Sequence, residues 1–263
     1  MNMEKKLRVG ILGATGMVGQ RFITLLANHP WYEITALAAS PRSAGKTYEE
    51  AVGGRWKMTT PMPEKVKNLV VMNVNDVDAV SKTVDFVFSA VDMTKEEIRA
   101  IEEAYAKTET PVVSNNSAHR WTPDVPMVIP EINPEDVRRH KGIIANPNCT
   151  TIVSLVAINA LNQDSPIQSI IASSYQAVSG AGAGGPRELM EEVELLREGK
   201  PVHPQVFQYQ IAYNVIPQIG GEAYEGYTSE EMKMQNEGRK IMHLPDLQVS
   251  CTCVRVPVVR SHS

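Results

Sequence analysis

Apolar positions run almost without interruption from Leu7 to Leu12, the pattern of a strand buried on both faces, and pass directly into GILGATGMVGQRF. Glycines at 10, 13, 16 and 19 punctuate that segment. Val18, Phe22, Leu25 and Leu26 then recur at helical intervals, so the first unit predicted is strand, glycine turn, helix. Further strands are predicted at Glu33 to Ala39, Asn68 to Val74, Val84 to Ala90 (VDFVFSA) and Pro111 to Ser114. Thr94 followed three residues on by Glu97 has capping-box spacing, and Ile98, Ile101 and Tyr105 place one helical face up to about Lys107. Strands alternating with helices imply a parallel sheet covered on both faces, an α/β, Rossmann-like dinucleotide-binding domain over residues 1–148.

Beyond Asn146 the pattern changes. Thr151 to Leu161 reads as helix, Ile167 to Tyr175 as a long strand and Arg187 to Leu196 as a charged amphipathic helix, with strand-rich material after it. Gln248 to Val258 alternates strictly, placing Val249, Cys251, Cys253 and Arg255 on one face and Ser250, Thr252, Val254 and Val256 on the other. Residues 149–263 are therefore expected to form a second, α+β domain. No internal repeat or low-complexity linker interrupts the chain. The last strand has no closing helix or hairpin partner after it, so its edge is expected to be covered by a partner subunit or by a C-terminal segment lacking here.

Composition narrows the function classes. Of 263 residues, 43% are hydrophobic and 21% charged, ordinary for a chain with one large core or two modest ones. A net charge of -4 and a pI near 5.9 leave no basic excess for a nucleic-acid backbone or an anionic membrane, so the expected partner is a small molecule. Met1 to Lys6 is a short polar lead-in, and no apolar stretch approaches the roughly 20 residues that span a bilayer. Three cysteines form no disulfide framework, and reduced thiols suit the cytoplasm.

Two segments carry candidate chemistry. Glycines ahead of the first helix let a backbone approach a pyrophosphate, which the helix N-terminus favours through its free amides and dipole. The second strand ends in Ala38 and Ala39 with no acid to bind ribose hydroxyls. Ser40, Arg42 and Ser43 follow and could hold a 2'-phosphate, so NADP is the expected cofactor. Cys149, in ANPNCTTIVSL, follows an Asn-Pro-Asn turn at the start of a helix, where free amides stabilise a thiolate. Cys251 and Cys253 read instead as small buried hydrophobes. A zinc site at this pair, with His243 or His262, lacks a matching second pair of ligands, and no metal is expected.

GATGMVGQRF, SNNSAHR, PNCTT, SYQAVSGAG, the EExKxxxExRKI pattern and RVPVVRSH together resemble aspartate-semialdehyde dehydrogenases in order and spacing, over nearly the whole chain. The longer SNNSAHR and EExKxxxExRKI forms resemble the archaeal and fungal branch, whose members continue beyond the histidine, so the chain is expected to be C-terminally incomplete. The resemblance implies a catalytic and dimerisation role for residues 149–263, with Cys149 as nucleophile, Gln176 as the residue orienting the acyl intermediate and His262 as general acid and base. It implies Arg255 as the clamp on the substrate carboxylate and Glu230 as partner of its amino group. Lys233, Arg120 and Asn148 would form the phosphate pocket. The expected cofactor contacts are Gly13, Thr15, Gly16, Met17, Val18, Ser40, Arg42, Ser43, Ser89, Ala90, Ser179 and Gly180.

The reaction so implied interconverts aspartate semialdehyde, phosphate and NADP with aspartyl phosphate and NADPH, by a homodimer or homotetramer serving lysine, threonine and methionine synthesis. Rival readings are a related acyl reductase, such as a malonyl-CoA or N-acetyl-glutamyl-phosphate reductase, and a non-catalytic NADP-binding protein. Without the resemblance, Glu230 is no better a choice than Glu231, and His262 is a histidine near the chain end. Arg255 stands out on physical grounds, since a charge on the Val249 face needs an anionic partner.

Overall fold

A computed structural model describes residues 5–260, and the chain divides into two compact units, Met1–Val128 with Pro134–Pro147 and Ile129–Asn133 with Asn148–Ser263. The first is built on six parallel strands, β1 (Leu7–Leu12), β2 (Tyr32–Ala39), β3 (Met72–Asn73), β4 (Phe86–Ser89), β5 (Val112–Ser114) and β6 (Ile143–Ala145), in the order β3-β2-β1-β4-β5-β6. That is the doubly wound order, with a switch point between β1 and β4. Its helices are α1 (Met17–Leu26), the short α2 (Tyr48–Val52), α3 (Glu64–Lys67) and α4 (Val77–Ser81), and α5 (Lys95–Lys107).

The unbroken apolar run of β1 is explained by burial: Val9, Ile11 and Leu12 are fully covered, packed with Ile23 of α1, Leu37 of β2 and Tyr48 of α2. Helix α5 starts at the expected capping box. The Glu97 amide donates to Thr94 Oγ1 at 3.3 Å, the Thr94 amide donates to Glu97 Oε2 at 2.9 Å, and Ile98, Ile101 and Tyr105 are buried.

One strand is shorter than its pattern predicts. Of Asn68 to Val74 only Met72–Asn73 joins the sheet, because Val71 exchanges backbone hydrogen bonds with Gly45 and Lys46 and Val70 forms an isolated antiparallel bridge with Thr47. The local loop takes the donors and acceptors that a longer strand would have used.

In the second unit, α6 (Cys149–Asp164), β7 (Ser169–Ala177), α7 (Gly184–Arg197), the β8–β9 hairpin (Glu222–Tyr224, Tyr227–Thr228), α8 (Ser229–Ile241) and β10 (Gln248–Val256) follow in order. The last strand finds its partner earlier in the chain. Strand β10 pairs with β7 in parallel over nine residues without a bulge, from Gln248 opposite Ser169 to Val256 opposite Ala177. The expected alternation holds on the inner face: Cys251, Cys253 and Arg255 are buried and Val249 packs against the Met234 cluster from α8. On the outer face of β7, Ile171 is 90% and Tyr175 51% exposed.

The segment after α7 is largely irregular rather than strand-rich, for a reason visible in α7. Glu188 accepts the amides of Gln205, Val206 and Phe207, and Glu192 accepts those of Ile211 and Ala212. These two buried carboxylates, one helical turn apart, satisfy backbone donors that a sheet would otherwise pair.

Candidate active site and nucleotide cleft

The nucleotide cleft belongs to the first unit and opens at the C-terminal ends of β1, β2 and β4. It measures about 480 Å³, and its lining includes Gly13, Thr15, Gly16, Ser40, Arg42, Ser43 and Ala90 from the expected cofactor set. Gly13 has φ of 79°, and a Cβ there would lie 2.3 Å from the Ala90 carbonyl oxygen, so only glycine lets β1 turn beside β4. Gly16 caps α1 with no side-chain hydrogen bond and no acid follows in the first turn, which leaves the helix terminus suited to an anion.

The cleft also contains cations that sequence reasoning missed: Lys46 and Arg55 line it with Arg42. Lys46 sits only three residues beyond Ser43, so the basic loop could have been read further; Arg55 comes from a turn after α2 with no local signal. Met17, Val18 and Ser89 are not in the lining. Ser89 is fully buried at the end of β4, and Val18 is 38% exposed on α1.

Arg120 also belongs to the first unit. It is buried, and its Nε donates to the Asn146 carbonyl at 2.9 Å. The loop leading to it is held by the fully buried Glu102 of α5, whose Oε1 accepts from Ser114 Oγ at 2.8 Å and Asn116 Nδ2 at 3.0 Å.

The second unit brings together Cys149, Asn148, Gln176, Glu230, Lys233 and Arg255. Cys149 is exposed and is the first residue of α6, so its thiol meets the positive end of a 16-residue helix. Asn148 is the N-cap. Its Oδ1 accepts the amides of Thr150 at 3.0 Å and Thr151 at 3.3 Å, while its Nδ2 donates to Glu230 Oε1 at 2.9 Å. Gln176 is buried and its Nε2 donates to Thr150 Oγ1 at 2.7 Å and Ser174 Oγ at 3.2 Å.

Arg255 lies opposite Gln176 in the β10–β7 register. Its Nη1 donates to the Ala177 carbonyl at 2.6 Å, and its guanidinium carbon is 5.9 Å from the centre of the Phe207 ring. The other guanidinium nitrogens have no hydrogen-bond acceptor among the described residues. Burial pulls the Arg255 pKa down, and the nearby Glu230, Cys149 and Cys253 act in the opposite direction. A buried guanidinium with spare donors is a site prepared for an anion.

The structure separates the two adjacent glutamates of α8. Glu231 closes a capping box with Thr228, and its Oε1 accepts the Cys253 amide at 3.0 Å. Glu230 instead pairs with Lys233 at 2.6 Å and with Asn148. Burial raises the Glu230 carboxyl, but the Lys233 hydrogen bond and charge, with Asn148 and Gln176, outweigh it and hold the group below the ordinary carboxylate range.

Ser179 and Gly180, expected at the cofactor, lie in the 3₁₀ turn Val178–Ala181 after β7. A Cβ on Gly180 would come within 2.7 Å of Arg255 Nη1, so this glycine makes room for the arginine. His262, the expected general base, lies outside the described residues. Phe207 and Thr150 are neighbours of the expected residues that the sequence did not single out, since nothing local marks their contacts.

A doubly wound nucleotide unit, and a second unit that places an exposed cysteine at a helix N-terminus, are the parts of a nucleotide-dependent oxidoreductase. Comparison with known proteins agrees with that class. Residues 8–140 match the family model for the semialdehyde dehydrogenase NAD binding domain, and residues 158–263 match that for the semialdehyde dehydrogenase dimerisation domain. The aspartate-semialdehyde dehydrogenase of Synechocystis sp. is 41% identical over 264 residues, covering 99% of this chain and 72% of its own length. The crystal structure of aspartate semialdehyde dehydrogenase II from Vibrio cholerae, complexed with ASA, superposes with a TM-score of 0.85 at 36% identity, over 98% of this chain and 73% of that one. The Candida albicans enzyme with NADP gives 0.75 at 30% identity, over 98% and 70%.

The chain belongs to the aspartate-semialdehyde dehydrogenase family. Two remarks attached to the resemblance are not borne out. The bacterial relative is nearer in identity, at 41%, than the Candida chain, at 30%, which does not mark out an archaeal and fungal branch. The covered share of the relatives is a difference of length, and it does not establish a missing C-terminal segment. No helix among the described residues is long and apolar enough to cross a membrane.

Proposed function

We propose that the chain interconverts L-aspartate 4-semialdehyde, phosphate and NADP with L-aspartyl 4-phosphate and NADPH through a thioester on Cys149, as a homodimer or homotetramer in the cytoplasm. The flux would serve lysine, threonine and methionine synthesis. The observation that carries this reading is an exposed thiol at the N-terminus of α6 within electrostatic reach of the buried Arg255. The Vibrio relative complexed with ASA and the Candida relative with NADP support the substrate and the cofactor.

The first unit fits a dinucleotide. Gly13 removes the Cβ that would fill the cradle, Gly16 leaves the α1 terminus open to a pyrophosphate, and Arg42, with Lys46 and Arg55 in the same lining, supplies positive charge for a 2'-phosphate. The bound nicotinamide supplies hydride chemistry.

The chain's own residues perform the remaining steps. The Cys149 thiolate adds to the aldehyde carbon to give a thiohemiacetal, and His262 takes the hydroxyl proton as the carbon is oxidised to the thioester. Phosphate oxygen then attacks the thioester carbon, the carbon–sulfur bond breaks, and the thiolate returns to Cys149. Arg255 holds the substrate carboxylate, Glu230 its amino group, and Gln176 orients the acyl carbon. Arg120, Asn148 and Lys233 receive the phosphate.

The test is turnover of aspartate semialdehyde with phosphate and either NADP or NAD, following formation of the reduced cofactor by its absorbance. Turnover by Cys149→Ser, or equal use of malonyl-CoA or N-acetyl-glutamyl phosphate in the reductive direction, overturns the reading.

A further inference from the structure

Glu237 is the third glutamate of the EExKxxxExRKI pattern, and none of the proposed steps uses it. Its side chain is fully buried on α8, and its Oε2 accepts the backbone amide of Asn148 at 2.7 Å across 89 residues of sequence. A carboxyl group placed so deep is costly to desolvate unless its hydrogen bonds are strong. The group it grips is the N-cap of the helix whose first residue is Cys149.

Asn148 is thereby attached to α8 at two points. Glu237 takes its main-chain donor, and Glu230, seven residues earlier and so nearly on the same helix face, takes its side-chain Nδ2 at 2.9 Å. Together with the cap bonds from Thr150 and Thr151 to Asn148 Oδ1, these contacts settle three of the first four orphan donors of α6. The other end of the strut is also fixed, since Glu231 accepts the amide of Cys253, two residues before Arg255 on β10. Helix α8 thus ties the turn that presents the thiol to the strand that presents the guanidinium.

The geometry points to Glu237 as a positioning residue: it fixes the backbone of Asn148 and, through the next peptide, the direction of the Cys149 thiol relative to Gln176 and Arg255. This rests on the proposed nucleophilic role of Cys149. What the turn requires of residue 237 is an acceptor at full glutamate length, which a glutamine amide oxygen supplies and an aspartate does not reach.

The experiment compares Glu237→Ala, Glu237→Asp and Glu237→Gln in the full chain, measuring kcat, KM for aspartate semialdehyde, thermal unfolding and the rate of iodoacetamide labelling at Cys149. Losing a strong buried hydrogen bond that aligns the reacting group should lower kcat of the alanine and aspartate variants about ten- to a hundredfold. KM and labelling should stay within about threefold of wild type, because binding and the open thiol are untouched. The glutamine variant should keep kcat within about threefold.

Wild-type kcat in a folded alanine variant overturns the proposal, as does an aspartate variant equal to the glutamine one. If alanine unfolds the chain, the aspartate and glutamine pair decides alone. Turnover by Cys149→Ser would instead remove the covalent reading itself, a result independent of residue 237.

Discussion

Arg255 and Gln176 are register partners across the parallel β10–β7 pair, and both side chains are buried, at 7% and 2% exposure. Neighbouring positions in a parallel pair project from the same face, so a guanidinium and an amide stand side by side at the end of the strands. The planar guanidinium donates Nη1 to the Ala177 carbonyl, and in the proposed function its remaining donors meet the substrate carboxylate. Arg255→Lys retains charge but not the two-pronged donor, so it should raise KM for aspartate semialdehyde about tenfold or more and change kcat less. A lower kcat at unchanged KM would remove the clamp assignment.

Gly180 offers a separate handle on the same arginine. A methyl group there would press against Nη1 at 2.7 Å, and the flexible guanidinium rather than the backbone would yield. Gly180→Ala should therefore raise KM for aspartate semialdehyde while leaving NADP affinity within about twofold. Titration of NADP binding by fluorescence distinguishes this from a cofactor contact, for which the NADP affinity would fall first.

The three thiols should differ sharply in reactivity. Cys149 is exposed at a helix N-terminus, whereas Cys251 and Cys253 are buried with their sulfurs 3.7 Å apart. Contact with Cys253, then burial, pushes the Cys251 thiol far up. Limited iodoacetamide at neutral pH should label Cys149 alone in the folded chain, and Cys149→Ser should abolish turnover by more than about a thousandfold with NADP binding retained. Peptide mapping that finds label at Cys251 first would contradict this order.

In the proposed function, cofactor choice depends on the loop after β2. Arg42→Ala removes one of the cations in the cleft and should weaken NADP at least about tenfold while altering NAD little, since only NADP carries the 2'-phosphate. Lys46→Ala should act in the same direction with a smaller effect, because an ammonium is a point charge without the guanidinium fork. Equal losses for both cofactors would mean that the loop does not read the 2'-phosphate.

Legibility in the sequence followed the range of each interaction. The glycine turn of β1, the capping box at Thr94 and the cap position of Cys149 are set by residues within a few positions of one another, and the local pattern disclosed them. The alternation of Gln248 to Val258 disclosed the buried face of β10, but not that β7, about 80 residues away in register, would pair with it. The segment Asn68 to Val74 looked like a strand because its apolar pattern is that of one, while the loop at Gly45 to Thr47 claimed its hydrogen bonds. Glu230 and Glu231 are indistinguishable by composition, and only the fold shows one facing Asn148 and the other Cys253. Glu237 stands in the EExKxxxExRKI pattern, but its contact gave no signal, because the Asn148 donor is 89 residues distant and is a main-chain amide, which leaves no trace in residue type.

Glu230 supplies a prediction whose sign is fixed by its surroundings. Its side chain is 10% exposed, paired with Lys233 at 2.6 Å and with Asn148 at 2.9 Å, and the carboxyl is held below its ordinary range despite the upward push of burial. A carboxyl whose folded pKa is depressed stabilises the fold fully above the unfolded value, about 4.3, and loses that contribution as pH falls through the folded value. Glu230→Gln keeps the size and an acceptor for Asn148 but removes the charge that Lys233 meets. Lys233 is 35% exposed, so solvent screens the pair and the expected stability difference at neutral pH is modest, about 1 kcal/mol or less. Urea unfolding of both proteins should show a constant gap from about pH 7 to about pH 5 that narrows only as pH falls below the unfolded value, about 4.3. A gap that is absent at neutral pH, or that widens on acidification, would mean that the folded carboxyl is not depressed and that Lys233 does not hold it charged.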